Sequence, residues 1–99
     1  MDYEVKHDDR QCVFYVDADG HRATAHYRCT ADSLDIDHTL VPPEIGGRGI
    51  ASLLVGAAYD YARSRGLRPA ATCVYAAAWL RRHPEYVAGP GAENPDAKG

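Results

Sequence analysis

No apolar stretch of this chain approaches the roughly 18 consecutive residues that a membrane span requires, so an integral membrane role is not expected. Basic excess is also missing. Eleven Lys and Arg stand against fourteen Asp and Glu, a formal net charge of −3, and such a chain has no broad positive field to attract nucleic acid or an anionic bilayer. Cysteine is scarce: three residues, an odd number, with no Cys-x-x-Cys or His-x-x-x-His spacing. That excludes a disulfide framework and a zinc knuckle and points to a reducing compartment. The first residues, Met1-Asp2-Tyr3-Glu4, are acidic and lack the apolar run of a secretory leader. A cytoplasmic location is the expectation. There are no internal repeats, and 99 residues are enough for one core and little else.

What is present concentrates in one stretch, Val41-Pro42-Pro43-Glu44-Ile45-Gly46-Gly47-Arg48-Gly49-Ile50-Ala51-Ser52. It joins an alternating apolar run to a helical pattern. Glycines let the backbone turn tightly and approach a ligand without a Cβ in the way. The first amides of a helix lack partners within it and carry the positive end of its dipole, which makes an anion site suited to phosphate or pyrophosphate.

On either side the pattern is regular. Tyr3–Lys6 reads as a short edge strand, followed by a polar turn at His7–Arg10. Cys12–Val16 and His21–Cys29 read as two strands joined by a hairpin turn at Asp17-Ala18-Asp19-Gly20, with Ala23, Ala25 and Tyr27 on one face and His26 and Arg28 on the other. The Asp-x-Asp start mimics a calcium loop, but its twelfth position is Arg28, where a bidentate Glu is needed. Leu34, Ile36, His38 and Leu40 alternate with Asp35, Asp37, Thr39 and Val41 in a fourth strand, which Pro42-Pro43 ends. A helix is predicted from about Gly47 to Arg65, its apolar stripe Ile50, Leu53, Leu54, Ala57, Ala58, Tyr61 and Ala62, with Gly66 as C-cap. A strand over Leu67–Val74 and a short helix over Ala76–His83 follow, the helix stopping before Pro84. Residues 89–99 are rich in Gly, Pro, Asp and Asn and read as a flexible tail behind a single domain of residues 1–88. The predicted fold class is α+β with α/β character: a mixed, mostly antiparallel sheet in the order β-β-β-β-α-β-α with a parallel crossover.

The glycine stretch resembles motif A of the Gcn5-related N-acetyltransferases (GNAT), written Gln/Arg-x-x-Gly-x-Gly/Ala. Gly49 and Ala51 match; Gly46 stands where the family has Gln or Arg. The resemblance is closest to the short single-domain members. These carry His-Thr-x-Val-Pro-Pro-Glu before the loop, here His38 to Glu44, and a Cys strand followed by a helix ending Arg-Arg-His-Pro-Glu-Tyr, here Cys73 and Arg81 to Tyr86. It spans residues 33 to 87. It implies the GNAT core without the helix pair that larger members insert, acetyl-CoA or coenzyme A as cofactor, and an amine acceptor, either a small molecule or a protein. Gly46, Gly47, Arg48, Gly49, Ile50 and Ala51 are then the pyrophosphate loop. Thr39, Leu40 and Val41 offer backbone groups to the pantetheine arm, and Arg48 and Arg81 are phosphate partners. Larger relatives often carry a Tyr that protonates the departing thiolate; Tyr75 is shifted from that position.

Two side chains are candidates for chemistry. Cys73 ends a strand beside a helix N-terminus, where a thiolate is favoured; it is a candidate nucleophile or acid and otherwise a small buried residue. His38 lies on the strand entering the loop and is a candidate general base, or a histidine ordering the sheet. Asp35 and Asp37 lie on the other face, Cys12 and Cys29 are packing residues, and no metal site is expected. A CoA-binding module without turnover shares the same loop. A P-loop is excluded because no Lys-Ser/Thr follows the glycines. A homodimer through an exposed sheet face or edge is compatible with the pattern.

Overall fold

The computed structural model describes residues 3–88; the predicted tail over residues 89–99 lies outside them. Five strands form one sheet: β1 (Lys6–Asp8), β2 (Val13–Ala18), β3 (His21–Cys29), β4 (Ser33–Leu40) and β5 (Arg68–Ala71). They lie side by side in chain order. The first three seams are antiparallel and the last, between β4 and β5, is parallel. Helix α1 (Ile50–Ser64) makes the parallel passage, and α2 (Val74–Arg82) and α3 (Pro84–Ala88) close the described chain. This is the mixed, mostly antiparallel α+β architecture expected.

Local rules account for most boundaries. Ala18 pairs with His21 across a two-residue loop. Its central residues, Asp19 and Gly20, both have positive φ, as a hairpin turn matched to strand twist requires. Helix α1 ends on Gly66 at φ 71. There the Leu67 amide returns to the Ala62 carbonyl at 2.8 Å and the Gly66 amide to Arg63 at 3.1 Å, the paired bonds of a glycine-terminated helix. Pro84, expected as a stop, opens α3, where its missing N–H costs nothing.

Besides the expected strand over Leu67–Val74, which is confined to Arg68–Ala71 so that α2 starts at Val74 rather than Ala76, three features differ from the pattern. The edge strand is Lys6–Asp8 rather than Tyr3–Lys6, because His7 pairs with Phe14 and its ring stacks on the Phe14 ring at 4.0 Å. The His7 Nε2 also lies 2.6 Å from the Tyr27 hydroxyl. Helix α1 begins at Ile50, not Gly47, since Gly47 and Gly49 adopt left-handed φ of 74 and 79° that an α-helix excludes. The third difference is in β4. Its pairing with β3 shifts between His26/Tyr27: Tyr27 faces Ile36 whereas His26 faces His38, so Asp37 is an extra residue. This β-bulge inverts the side-chain alternation beyond it. Leu34 and Ile36 are fully buried, but His38 is exposed and Leu40 is 54 % exposed. His38 therefore does not share a face with Leu34 and Ile36. It sits on the outer face beside His26, ring centroids 6.0 Å apart.

The core lies between the inner sheet face and the helices. Val16, Ala23, Ala25, Leu34 and Ile36 meet Ile50, Leu54, Val55, Ala58, Tyr59 and Ala62 of α1, with Ala76 and Trp79 of α2 joining them. Leu53, expected in the stripe, is 43 % exposed. Val55 and Tyr59 take its place because α2 packs beside α1. Trp79 fixes that packing: its indole donates to Ser52 Oγ at 2.9 Å and lies over Gly56, where an added Cβ would meet the ring at 3.4 Å. His83 stacks on Trp79 at 3.8 Å, and Tyr86 meets it edge-on while donating to Asp60 at 2.8 Å. The Arg-Arg-His-Pro-Glu-Tyr run thus supplies an aromatic brace that docks α2 and α3 onto α1.

Candidate active site

The site is built where the sheet stops being a sheet. Parallel pairing between β4 and β5 runs from Ser33–Arg68 to Ile36–Ala71 and then ends. The Ile36 carbonyl accepts the last two amides, Thr72 at 3.1 Å and Cys73 at 3.0 Å. Asp35 holds the departure point: one carboxylate oxygen accepts the Thr72 amide and the other its hydroxyl, both at 2.7 Å. Beyond it, β4 runs on to Leu40 with that edge unpaired among the described residues. The bulge at Asp37 also turns Thr39 inward, and Thr39 Oγ1 reaches Cys73 Sγ at 3.4 Å across the opening.

Cys73 is the N-cap of α2 with extended backbone, φ −70 and ψ 132. Burial is the largest single influence on its thiol and pushes the pKa up. The Thr39 hydroxyl, together with the amides of Ala76, Tyr75 and Thr39, outweighs burial, so the net shift is below the ordinary thiol value of 9.0. No side-chain cap bond to the helix closes. The α2 amides therefore act as the positive field of a helix end, and Thr39 is the close partner.

The glycine stretch lies between β4 and α1. Pro43–Ile45 forms one 3₁₀ turn, pinned by Ile45, which is fully buried. Then Gly46 is extended, and Gly47 and Gly49 are left-handed. Leu53 donates to the Gly49 carbonyl, the first bond of α1. Among the described residues, the amides of Gly47, Arg48, Gly49, Ile50, Ala51 and Ser52 have no hydrogen-bond partner, and no side chain caps the helix. The Ile50 side chain is buried, so this residue offers the loop only its amide. A Cβ built at Gly47 or Gly49 meets nothing within 4 Å. Glycine is required there by φ alone. This donor set fits a pyrophosphate, and the exposed apolar Leu40, Leu53 and Val74, at the end of β4 and the starts of α1 and α2, suit a pantetheine arm.

The structure brings some predicted residues together and separates others. Thr39 and Cys73 meet at 3.4 Å, and Leu40, Val41 and the loop from Gly46 to Ala51 follow Thr39 in the chain, between the end of β4 and the start of α1. Thr39, expected to contribute backbone only, also supplies its hydroxyl; no sequence signal marks this, because the bulge that turns it inward is a property of strand pairing. His38 faces the outer surface, while Thr39 and Cys73 meet on the inner side. Arg48 has its guanidinium committed to Asp19, Nη1 to Oδ2 at 2.8 Å. Arg81 is exposed on the last turn of α2, the opposite end of that helix from Cys73. Asp37 is paired with Arg28 at 3.3 Å. Cys12 packs partly against the core, but Cys29 is exposed rather than packed. On the outer face a shallow groove of about 280 Å³, lined by Asp8, Val13, Tyr15, Thr24 and His26, adjoins His38 through its His26 wall.

Comparison with known proteins agrees with this geometry. Residues 11–89 match the family described as GCN5-related N-acetyl-transferase. Protein NATD1 of Bos taurus is 36 % identical over 83 residues, covering 81 % of this chain and 74 % of that protein. The Homo sapiens NATD1 is 35 % identical over the same shares. A GCN5-like protein of Staphylococcus aureus, solved by NMR in solution, superposes with a TM-score of 0.66 at 31 % identity, over 84 % of this chain and 82 % of that one. The chain belongs to the GCN5-related N-acetyltransferase family.

Proposed function

We propose that the protein is an acetyl-CoA-dependent N-acetyltransferase that acts on an amine. The observation that carries this reading is the row of unpartnered amides from Gly47 to Ser52 beside the unclosed β4–β5 seam. Gly47, Gly49 and the first turn of α1 would hold the pyrophosphate, and the free edge of β4 at Thr39 and Leu40, with Val41 just after it, the pantetheine arm. When bound, acetyl-CoA supplies an activated thioester whose acetyl group passes to nitrogen. Cys73, its pKa lowered beside Thr39, is the group in this opening that holds a proton on a weakly acidic atom. It serves as the acid toward a departing thiolate or, deprotonated, as the acyl acceptor. His38 on the outer face serves as base for an acceptor that approaches from that side.

Calorimetry with acetyl-CoA and coenzyme A, followed by a transfer assay on a panel of amines, tests the reading. Cys73→Ala is expected to lower transfer by about 100-fold or more with cofactor affinity little changed, and His38→Ala to lower it at neutral pH with recovery at alkaline pH. An acetyl increment on the Cys73 peptide after quenching identifies the acyl-acceptor role. A transfer rate unchanged in Cys73→Ala would make the cysteine a packing residue. The separation of His38 from Cys73 favours a second reading, a coenzyme A binding module without turnover. Cofactor binding with no amine in the panel acetylated would select it.

A further inference from the structure

The loop that would hold the cofactor is tied to a part of the chain with no place in the chemistry described so far. Arg48, its middle residue, does not project freely. Its Nη1 bonds Asp19 Oδ2 at 2.8 Å and lies 3.4 Å from the Tyr3 hydroxyl, and Nη2 lies 3.5 Å from the Glu44 carbonyl of its own loop. Asp19 is the first central residue of the two-residue β2–β3 turn. The residue after that turn, His21, lies 3.9 Å from the Glu44 carboxylate. Two side chains of the loop therefore reach the same hairpin tip, twenty-odd residues away in sequence. The hydrogen bonds to Tyr3 and Asp19 raise the Arg48 pKa against the lowering effect of burial.

We infer that Asp19 is a positioning residue for the cofactor loop, with Arg48 as its tie and not a phosphate ligand. The inference rests on the reading of the loop as a pyrophosphate site. Gly46, Gly47 and Gly49 give the loop its shape and also leave it with many accessible conformations. A chain of this kind binds tightly only when something outside it removes the alternatives before the ligand arrives. The hairpin tip is a suitable anchor because its two-residue I′-type turn closes a continuous β2–β3 ladder and its geometry favours Asp, Asn or Gly. The pair also cancels the Asp19 charge, which would otherwise repel a polyphosphate beside the loop.

The experiment is a double-mutant cycle. Asp19→Asn keeps a residue the turn accepts and removes only the charge; Arg48→Met keeps the length and apolar stem. Each is expected to weaken coenzyme A binding about three- to fivefold, the range of a partly exposed ion pair, and the double variant no more than either alone. Amide hydrogen exchange at residues 46–51 of the free protein is expected to rise alike in all three. The inference is overturned if Asp19→Asn leaves binding unchanged or tightens it, or if Arg48→Met alone loses tenfold or more with a weakened salt dependence, since that is a phosphate contact. Faster loop exchange in both variants of a protein that does not bind coenzyme A would keep the tie and dismiss the cofactor; unchanged exchange with intact binding would do the reverse.

Discussion

Strand β4 has two edges, and they do different work. Along one, β3 pairs with it from Thr24–Leu40 to Cys29–Leu34, with a single bulge. Along the other, β5 pairs only as far as Ile36. The closed edge leads to His7, Phe14, Tyr27 and Tyr61, whose rings pack at 4.0 to 6.2 Å. The open edge leads to Thr39, Cys73 and the glycine loop, where amides stand without partners. Unmade hydrogen bonds are costly where water is excluded and useful where a ligand completes them. The closed side supplies the stability that lets the other side stay unfinished.

Substitutions that respect or cross this divide should separate the two roles. Leu34, fully buried and paired with β3 on one side and β5 on the other, away from the opening, is the place for the largest effect. Leu34→Ala is expected to cost about 2–5 kcal/mol, read as a lower denaturant midpoint, with cofactor affinity of the folded fraction retained. Gly49→Ala should do the opposite. Its Cβ meets nothing, so the cost is conformational, about 1–2 kcal/mol for a left-handed L-residue, and it falls on the loop. Coenzyme A binding is expected to weaken by about tenfold or more with a smaller change in midpoint; equal losses in both would erase the distinction.

The smallest effect belongs to His7. Burial lowers its pKa below 6.5, offset in part by Asp9 and Asp8. The unfolded chain then takes up the proton first as pH falls, so this residue's contribution is complete above pH 6.5 and declines as pH drops from there through the lower, folded pKa. The stability difference between the parent protein and His7→Gln should narrow on acidification from pH 7.5 to pH 5, measured by urea unfolding. A difference that stays constant over that interval would detach the closed side from this titration.

The parts readable in the chain beforehand are those set by near neighbours. Asp19-Gly20 marks a turn, Gly66 a helix end, and Gly46 to Ala51 a loop before a helix, because each depends on φ preferences within a few residues. The inner face of β3 was equally legible from Ala23, Ala25 and Tyr27, since nothing interrupts its alternation. Beyond Asp37 the reading breaks. The extra residue is defined by pairing with β3, so alternation counted along β4 alone assigns His38 and Thr39 to the wrong faces. His7 reads as turn because its reason for extending is the Phe14 ring, and the Arg48–Asp19 pair has no local signal because the two residues are remote in sequence. In each case the deciding contact is long-range.

The single tryptophan of the chain has a practical consequence. Trp79 sits at the joint between α1 and α2, bonded to Ser52 two residues after the first residue of α1. Its fluorescence is therefore an unlabelled optical gauge of that joint: a shift in emission on adding coenzyme A follows rearrangement at the start of α1, in real time and at the low concentrations where a tight complex is measured.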